Sequence, residues 1–166
     1  MYAHSVVRNS CLTAALLALT VSSAPAATIL FIGNSFTFAD RSPVHFFHSE
    51  RVTDLNHEGI GGMPALFKSF TLEAAVPYDV SLETSPGKNL DWHFKNKADV
   101  IGKPWDIVVM HGFSTLDAAK PGDPGVLIDY TKQVAALLHE KNPSVETHVD
   151  LDTGRPDLSS ERALVR

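Results

Sequence analysis

Short apolar runs alternate with helical patterns along most of this 166-residue chain, and this alternation restricts its fold more than any other feature. Apolar and β-branched runs predict four strands, at 28–32, 79–84, 105–110 and 145–151. Apolar side chains at helical spacing predict four helices, at about 43–55, 64–76, 89–98 and 126–141. Strands that alternate with helices pair in parallel through right-handed crossovers. The pattern therefore predicts a three-layer α/β/α sandwich around a flavodoxin-like parallel sheet.

The first of these strands is the best candidate for the centre of the sheet. Thr28–Ile32 is apolar without interruption and is closed by Gly33, as is typical of a strand buried on both faces. In open α/β sheets, ligands bind at the carboxyl ends of the strands, near the point where strand order reverses. Because Ser35, Gly87 and His111 each follow a predicted strand, we expect them at that edge.

The turn after the first strand carries a family resemblance. Gly33-Asn34-Ser35-Phe36-Thr37 resembles the first conserved block of the SGNH/GDSL hydrolases, in the branch that writes it G-N-S-F-T. The resemblance implies that Ser35 is the nucleophile and that its backbone N–H donates to the oxyanion. A serine at such a turn also commonly caps the following segment, which is the alternative reading.

The second block of the family supplies a glycine whose N–H faces the oxyanion, and Ser85-Pro86-Gly87 looks similar to it. By this resemblance Gly87 is the second donor, although a turn glycine after Pro86 is the alternative. Gly61-Gly62 ranks lower, because it precedes a predicted helix and does not follow a predicted strand.

The third block normally ends its strand with asparagine, whereas this chain has His111 followed by Gly112. A neutral histidine donates one hydrogen bond, so His111 is the candidate substitute donor, with a substitute base or a polar loop residue as alternatives. The family takes its acid and base from a D-x-x-H block near the C-terminus. The only D-x-x-H here is Asp54–His57, interpreted as a solvated helix end. The resemblance thus implies a domain over 27–166 that lacks the family's last strand and has weak or no turnover.

Residues 1–26 predict a secretory signal peptide that is cut after Ala26. Arg8 precedes an apolar run from Cys11 to Ser22, and small residues around Pro25 end it. The run is shorter than the roughly 20 residues of a membrane span, so no membrane association is expected after cleavage. Cys11 is the only cysteine, and an exported chain without disulfides favours a secreted or periplasmic protein of a bacterium.

The charge balance and the remaining histidines argue against two classes of function, nucleic-acid binding and metal binding. A net charge of −5 argues against nucleic-acid binding. His45 and His48 share a face of a predicted helix, but no third ligand stands out, so neither a metal nor another cofactor is expected. The resemblance implies an esterase for small or carbohydrate esters. Two alternatives are a non-catalytic remnant or binding domain of the same fold, and a flavin- or phosphate-binding flavodoxin-like protein.

Overall fold

A computed structural model describes residues 25–150. The strands are β1 (Ala27–Gly33), β2 (Thr53–Asp54), β3 (Tyr78–Thr84), β4 (Ile107–His111) and β5 (Glu146–Asp150). The helices are α1 (Gly62–Glu73), α2 (Leu90–Ile101), α3 (Gly125–Lys141) and a 3₁₀ turn at Ser49–Arg51. Nearly all of the expected signal peptide, and the tail after Asp150, lie outside the described residues. Within 25–150, no helix has the length and apolarity that a membrane span requires.

The five strands form one parallel sheet in the order β2-β3-β1-β4-β5. The predicted first strand is central, with β3 on one side and β4 on the other. Its carboxyl end pairs Gly33 with Thr84 and Ile32 with Met110. Four of the strands match the sequence prediction, and the fifth is the two-residue edge strand β2, which is too short to give a periodic pattern.

Helices cover both faces of the sheet, which confirms the predicted three-layer α/β/α sandwich. Leu30 and Ile32 of β1 are fully buried in the core that α2 and α3 share. Phe31 points to the opposite face and packs edge-on against Phe67 of α1, with ring centroids 5.6 Å apart. Each fully buried side chain of this size contributes about 1.5–3 kcal/mol relative to an exposed one.

The helix predicted over 43–55 is wrong. The Val44 carbonyl accepts the N–H of Phe47, three residues on, as in a turn, and the carbonyls of Val44 and His45 both accept the N–H of Gly62. His48 has a positive φ of 43°, and the chain forms successive turns up to Arg51. Beyond them the segment extends as β2, because Thr53 and Asp54 pair with β3. His45 and His48 therefore do not share a helix face.

Candidate active site

The turn that follows β1 brings Ser35 to the carboxyl edge of the sheet, where it is half-buried. This turn closes tightly on β4. A Cβ atom on Gly33 would lie 2.0 Å from Thr37 Oγ1 and 3.2 Å from His111 Cβ, so only glycine fits at this position. The strand-closing glycine seen in the sequence is thus required for the approach of Thr37 and His111.

Asn34 fixes the neighbourhood of Ser35. Its side chain is 1 % exposed, and its Nδ2 donates to the carbonyls of Gly112, at 2.9 Å, and Lys88, at 3.3 Å. Its Oδ1 accepts the N–H of Phe36 at 3.2 Å. One amide therefore holds the loops after β3 and β4 against the Ser35 turn. Sequence reasoning assigned no role to Asn34, although its place between the glycine and the serine of the block was the available signal.

The backbone N–H groups of Ser35 and Gly87 make no hydrogen bond to any residue of the described range. Gly87 has φ +66°, and a Cβ atom there would meet nothing within 4 Å, so the loop presents its backbone openly. The loop is tied to β1 by a hydrogen bond of 2.9 Å from Ser85 N–H to Gly33 O. Both N–H groups are chemically able to bind an oxyanion.

The backbone N–H groups of the alternative glycine pair, Gly61-Gly62, are already hydrogen-bonded within the protein. Gly61 N–H and Gly62 N–H both donate to His45 O, at 2.9 and 3.1 Å. The expectation that this pair does not follow a strand is wrong, because β2 precedes it. Its engaged N–H groups nevertheless distinguish it from Gly87.

His111 ends β4 and lies beside the Ser35 turn. Its Nδ1 is 3.2 Å from Thr37 Oγ1, and its ring centroid is 5.8 Å from that of Phe36. Across the sheet it pairs with Asp150 of β5. The structure therefore brings His111 to the first conserved block through Thr37. The Ser35 hydroxyl itself makes no hydrogen bond to a residue within 25–150.

The D-x-x-H segment has a structural role and does not end a helix as predicted. Asp54 closes β2, and its carboxylate accepts the N–H groups of Asn56, Glu58 and Ile60 at 2.9, 2.8 and 3.1 Å. His57 is exposed in the same loop. Asp54 thus organises the connection from β2 to α1.

A buried polar pair lies under the β3 end of the site. His93 Nδ1 is hydrogen-bonded to Glu83, and both side chains are fully buried. Asn56 connects this pair to the strand end, because its Nδ2 donates to Thr84 O at 2.7 Å and contacts Glu83 Oε1 at 3.4 Å. Lys97 Nζ donates to Asn56 Oδ1 at 2.8 Å. His93 is therefore a core residue.

Two cavities lie near the loops that follow the strands, and residues of the turn after β1, Phe36 and Thr37, line the second of them. One, of about 380 Å³, lies between Gly87, Trp92 of α2 and Phe113. The other, of about 430 Å³, is mostly apolar and is lined by Phe31, Met63 and Phe67 together with Thr37 and His111. In the described part of the chain, no three His, Cys, Asp or Glu side chains converge as they would around a metal ion.

The fold is one that other solved structures share. A central parallel strand ends at the Ser35 turn and helices cover both faces of the sheet, an arrangement similar to that of TesA. Among solved structures, TesA matches with a TM-score of 0.50 and 14 % sequence identity, over 74 % of this chain and 58 % of that one. This chain therefore spans less than two thirds of the TesA chain.

Two acetyl xylan esterases are similar at lower scores. AlAXEase matches with a TM-score of 0.48 and 16 % identity, over 74 % of this chain and 56 % of that one. Axe2 from Geobacillus stearothermophilus matches with a TM-score of 0.44 and 19 % identity, over 74 % and 58 %. No protein-family model matches this chain, and no curated protein matches it either.

Proposed function

We propose that this protein is an ester hydrolase with Ser35 as its nucleophile, acting on small or carbohydrate esters. The observation that carries the proposal is the pair of N–H groups, on Ser35 and Gly87, that have no partner in the described range and belong to the loops after the neighbouring strands β1 and β3. Such donors stabilise the charge that develops on the carbonyl oxygen during acyl transfer. Asn34 supports their placement, because it holds both neighbouring loops.

In this reaction Ser35 Oγ attacks the ester carbonyl and gives its proton to solvent water, or to His111 where that residue is the base, while the carbonyl oxygen becomes an oxyanion that accepts hydrogen bonds from the N–H groups of Ser35 and Gly87. The tetrahedral intermediate then breaks its bond to the alcohol oxygen, which takes up a proton from the same source as it leaves. Water attacks the acyl-serine in the same way and releases the acid. His111 is the proposed third oxyanion donor or substitute base. Its tautomer decides between these two roles, because the contact of Nδ1 with Thr37 determines which ring nitrogen carries the proton.

We further propose that turnover by the 166-residue chain is slow. No imidazole within residues 25–150 is hydrogen-bonded to Ser35 Oγ, and a positioned general base contributes about 10²–10⁴-fold to such reactions. Ser35 is then expected to react with an activated reagent more readily than with an ordinary ester.

The test is covalent labelling of Ser35 with a fluorophosphonate, followed by peptide mass spectrometry, with hydrolysis of p-nitrophenyl acetate measured in parallel. We expect label on Ser35 in the parent protein and none in Ser35→Ala. Ser42→Ala is a matched control, because Ser42 lies in a nearby turn where its hydroxyl accepts the Val44 N–H. Equal labelling of parent and Ser35→Ala, or turnover at the rate of an intact triad enzyme, would contradict the proposal.

A non-catalytic binding domain of the same fold is the second candidate, favoured by the lack of a base bonded to Ser35 in the described range. It predicts neither labelling nor hydrolysis. The flavin or phosphate alternative has less support, because the Phe36 N–H of the turn is already bonded to Asn34 Oδ1. A yellow colour of the purified protein would favour that alternative.

Export through a signal peptide cut after Ala26 completes the proposal, with the bacterial periplasm or exterior as its place. Expression of the full chain in a bacterial host and N-terminal sequencing of the exported product test it. A product that begins at Ala27 is expected. Retention of Met1 on the exported protein would contradict it.

A further inference from the structure

We propose that the cavity beside Gly87 binds the sugar ring of a carbohydrate ester, with Trp92 as the platform for the ring. This inference rests on the proposed function, because it is Gly87, the proposed oxyanion donor, that borders the cavity. At about 380 Å³ the cavity falls within the range of roughly 300–1,000 Å³ that is usual for small-molecule sites. If the Gly87 N–H binds the oxyanion, a group bound in the cavity that Gly87 lines is next to the reacting carbonyl, where the alcohol part of an ester would lie.

The two walls of this cavity are held in a fixed relation by one residue. Asn89 caps α2, and its Oδ1 accepts both the Leu90 N–H, at 2.9 Å, and the Phe113 N–H, at 3.1 Å. Its Nδ2 donates to Leu116 O at 2.8 Å. The α2 wall with Trp92 and the opposite wall with Phe113 are therefore arranged before any ligand binds. A preformed site loses less conformational entropy on binding.

The cavity lining combines aromatic side chains with carboxylates, the two kinds of group that contact the C–H faces and the hydroxyl groups of a sugar. Trp92 and Phe113 supply half-buried aromatic surface for the C–H faces of a ring. Lys88 Nζ lies over the Trp92 ring, 5.7 Å from its centroid, so a sugar that stacks on this face displaces the ammonium group. Asp91 and Asp117 each use one carboxylate oxygen within the protein, with Lys95 Nζ at 3.1 Å and with Ala119 N–H at 2.6 Å. Their second oxygens make no hydrogen bond to a residue within 25–150. They remain able to accept hydrogen bonds from sugar hydroxyls.

The polar groups of its lining also distinguish this cavity from the second one, which is mostly apolar. An alkyl chain favours the second cavity, where Phe31, Met63 and Phe67 dominate. In the Trp92 cavity the same chain would bury carboxylate oxygens without partners, which costs free energy. A neutral ring that carries hydroxyl groups avoids that cost.

The experiment measures binding, so it does not depend on turnover. Xylobiose is titrated into the full chain and the heat is recorded, with 1-hexanol as the aliphatic competitor. We expect saturable binding that Trp92→Ala weakens roughly three- to tenfold and Trp92→Phe weakens less, because phenylalanine keeps an aromatic face. Phe70→Ala is the control, since Phe70 is an aromatic residue on α1 that is 60 % exposed and outside the cavity. It should bind as the parent does.

Indole fluorescence gives a second readout that is specific to position. The chain has two tryptophans, and Trp105 is buried with its Nε1 bonded to Ile101 O at 2.8 Å, so a spectral change on binding should come from Trp92. Unchanged affinity in Trp92→Ala, no xylobiose binding by the folded parent, or displacement of xylobiose by equimolar 1-hexanol would each overturn the proposal.

Two variants separate sugar binding at Trp92 from the reactivity of Ser35. Ser35→Ala should bind xylobiose as well as the parent does, and Trp92→Ala should still react with a fluorophosphonate at Ser35. Labelling of Ser35 without sugar binding rejects only the sugar site. Sugar binding without labelling upholds the site and rejects the nucleophile.

Discussion

Asn34 lies between the strand-closing Gly33 and Ser35, and its amide makes three hydrogen bonds from a buried position. Two of them join segments that are far apart in the sequence, the loops that begin after β3 and β4. The reactivity proposed for Ser35 therefore depends on a neighbour that takes no part in bond making. In the same turn, Gly33 is needed because Thr37 and His111 occupy the space of a side chain.

Replacing Asn34 with alanine should lower the free energy of unfolding by about 1–3 kcal/mol, because the buried carbonyl of Gly112 then loses its donor. Urea unfolding measures the change. Asn96→Ala is the matched control, since Asn96 is an exposed asparagine whose amide donates to Trp92 O, and it should change stability by less than about 0.5 kcal/mol. If the two variants were equally stable, the role assigned to Asn34 would be wrong.

At the level of elements, two polar contacts tie strands and helices together. Thr28 at the start of β1 is bonded to Asp106, just before β4, through both its backbone N–H and its hydroxyl, at 2.8 and 2.9 Å. At the other end of the sheet, Glu83 of β3 is bonded to His93 of α2 in the core. The first pair is exposed to solvent and the second is fully buried, so their energetic consequences differ.

Hydrogen bonds from the backbone N–H and the hydroxyl of Thr28 hold the pKa of Asp106 below its usual value. A carboxyl whose folded pKa is depressed stabilises the fold above its unfolded pKa of about 4, and this contribution is lost as pH falls through the folded value. Between pH 5 and 3 the parent should therefore lose more stability than Asp106→Asn. Urea unfolding at several pH values measures this. Asp129→Asn, an exposed carboxylate of α3, should follow the parent profile.

Removing one partner of the Glu83–His93 pair should destabilise the protein by about 3–5 kcal/mol, because the other polar group stays buried without its partner. Glu83→Ala and His93→Ala test this by thermal unfolding. The exposed Asp91–Lys95 pair provides the contrast, because solvent screens it, and Lys95→Ala should cost clearly less than either core variant. A loss below 1 kcal/mol for both core variants would contradict the expectation.

At the scale of the whole molecule, the two faces of the sheet are covered unequally. α2 and α3 share one core with β1 and β4, whereas α1 packs on the other face together with the loop residues Phe38 and Ile60. Several large apolar side chains on or just after α1 are exposed, namely Met63, Phe70, Leu72 and Val76. Exposed apolar surface of this kind favours self-association.

We expect the chain to associate through the exposed apolar side of α1 as its concentration rises. Phe70→Glu should shift gel-filtration and light-scattering profiles towards the monomer, because it places a charge in that surface. Ile128→Glu is the control, since Ile128 is an exposed apolar residue of α3. Association that responds equally to both variants would show that the α1 surface is not responsible.

The sequence by itself determined the layers and the position of the candidate nucleophile. The apolar run closed by Gly33 identified the central strand, since burial on both faces leaves a continuous apolar segment. The block around Ser35 then placed a serine at the carboxyl edge, where parallel sheets bind ligands. These features are local in the chain, so a pattern of neighbouring residues is enough to read them.

Only the tertiary structure decided the features that depend on distant partners. Residues 43–55 have a helical pattern. In the structure, however, the Gly62 N–H donates to the carbonyls of Val44 and His45, and a short edge strand lies where the predicted helix would end. The amide of Asn34 reaches carbonyls 54 and 78 residues away. His93 of α2 is buried in the core, where it is hydrogen-bonded to Glu83 of β3. Hydrogen bonds between residues far apart in sequence leave no periodic trace, and for that reason they emerge only when the chain is folded.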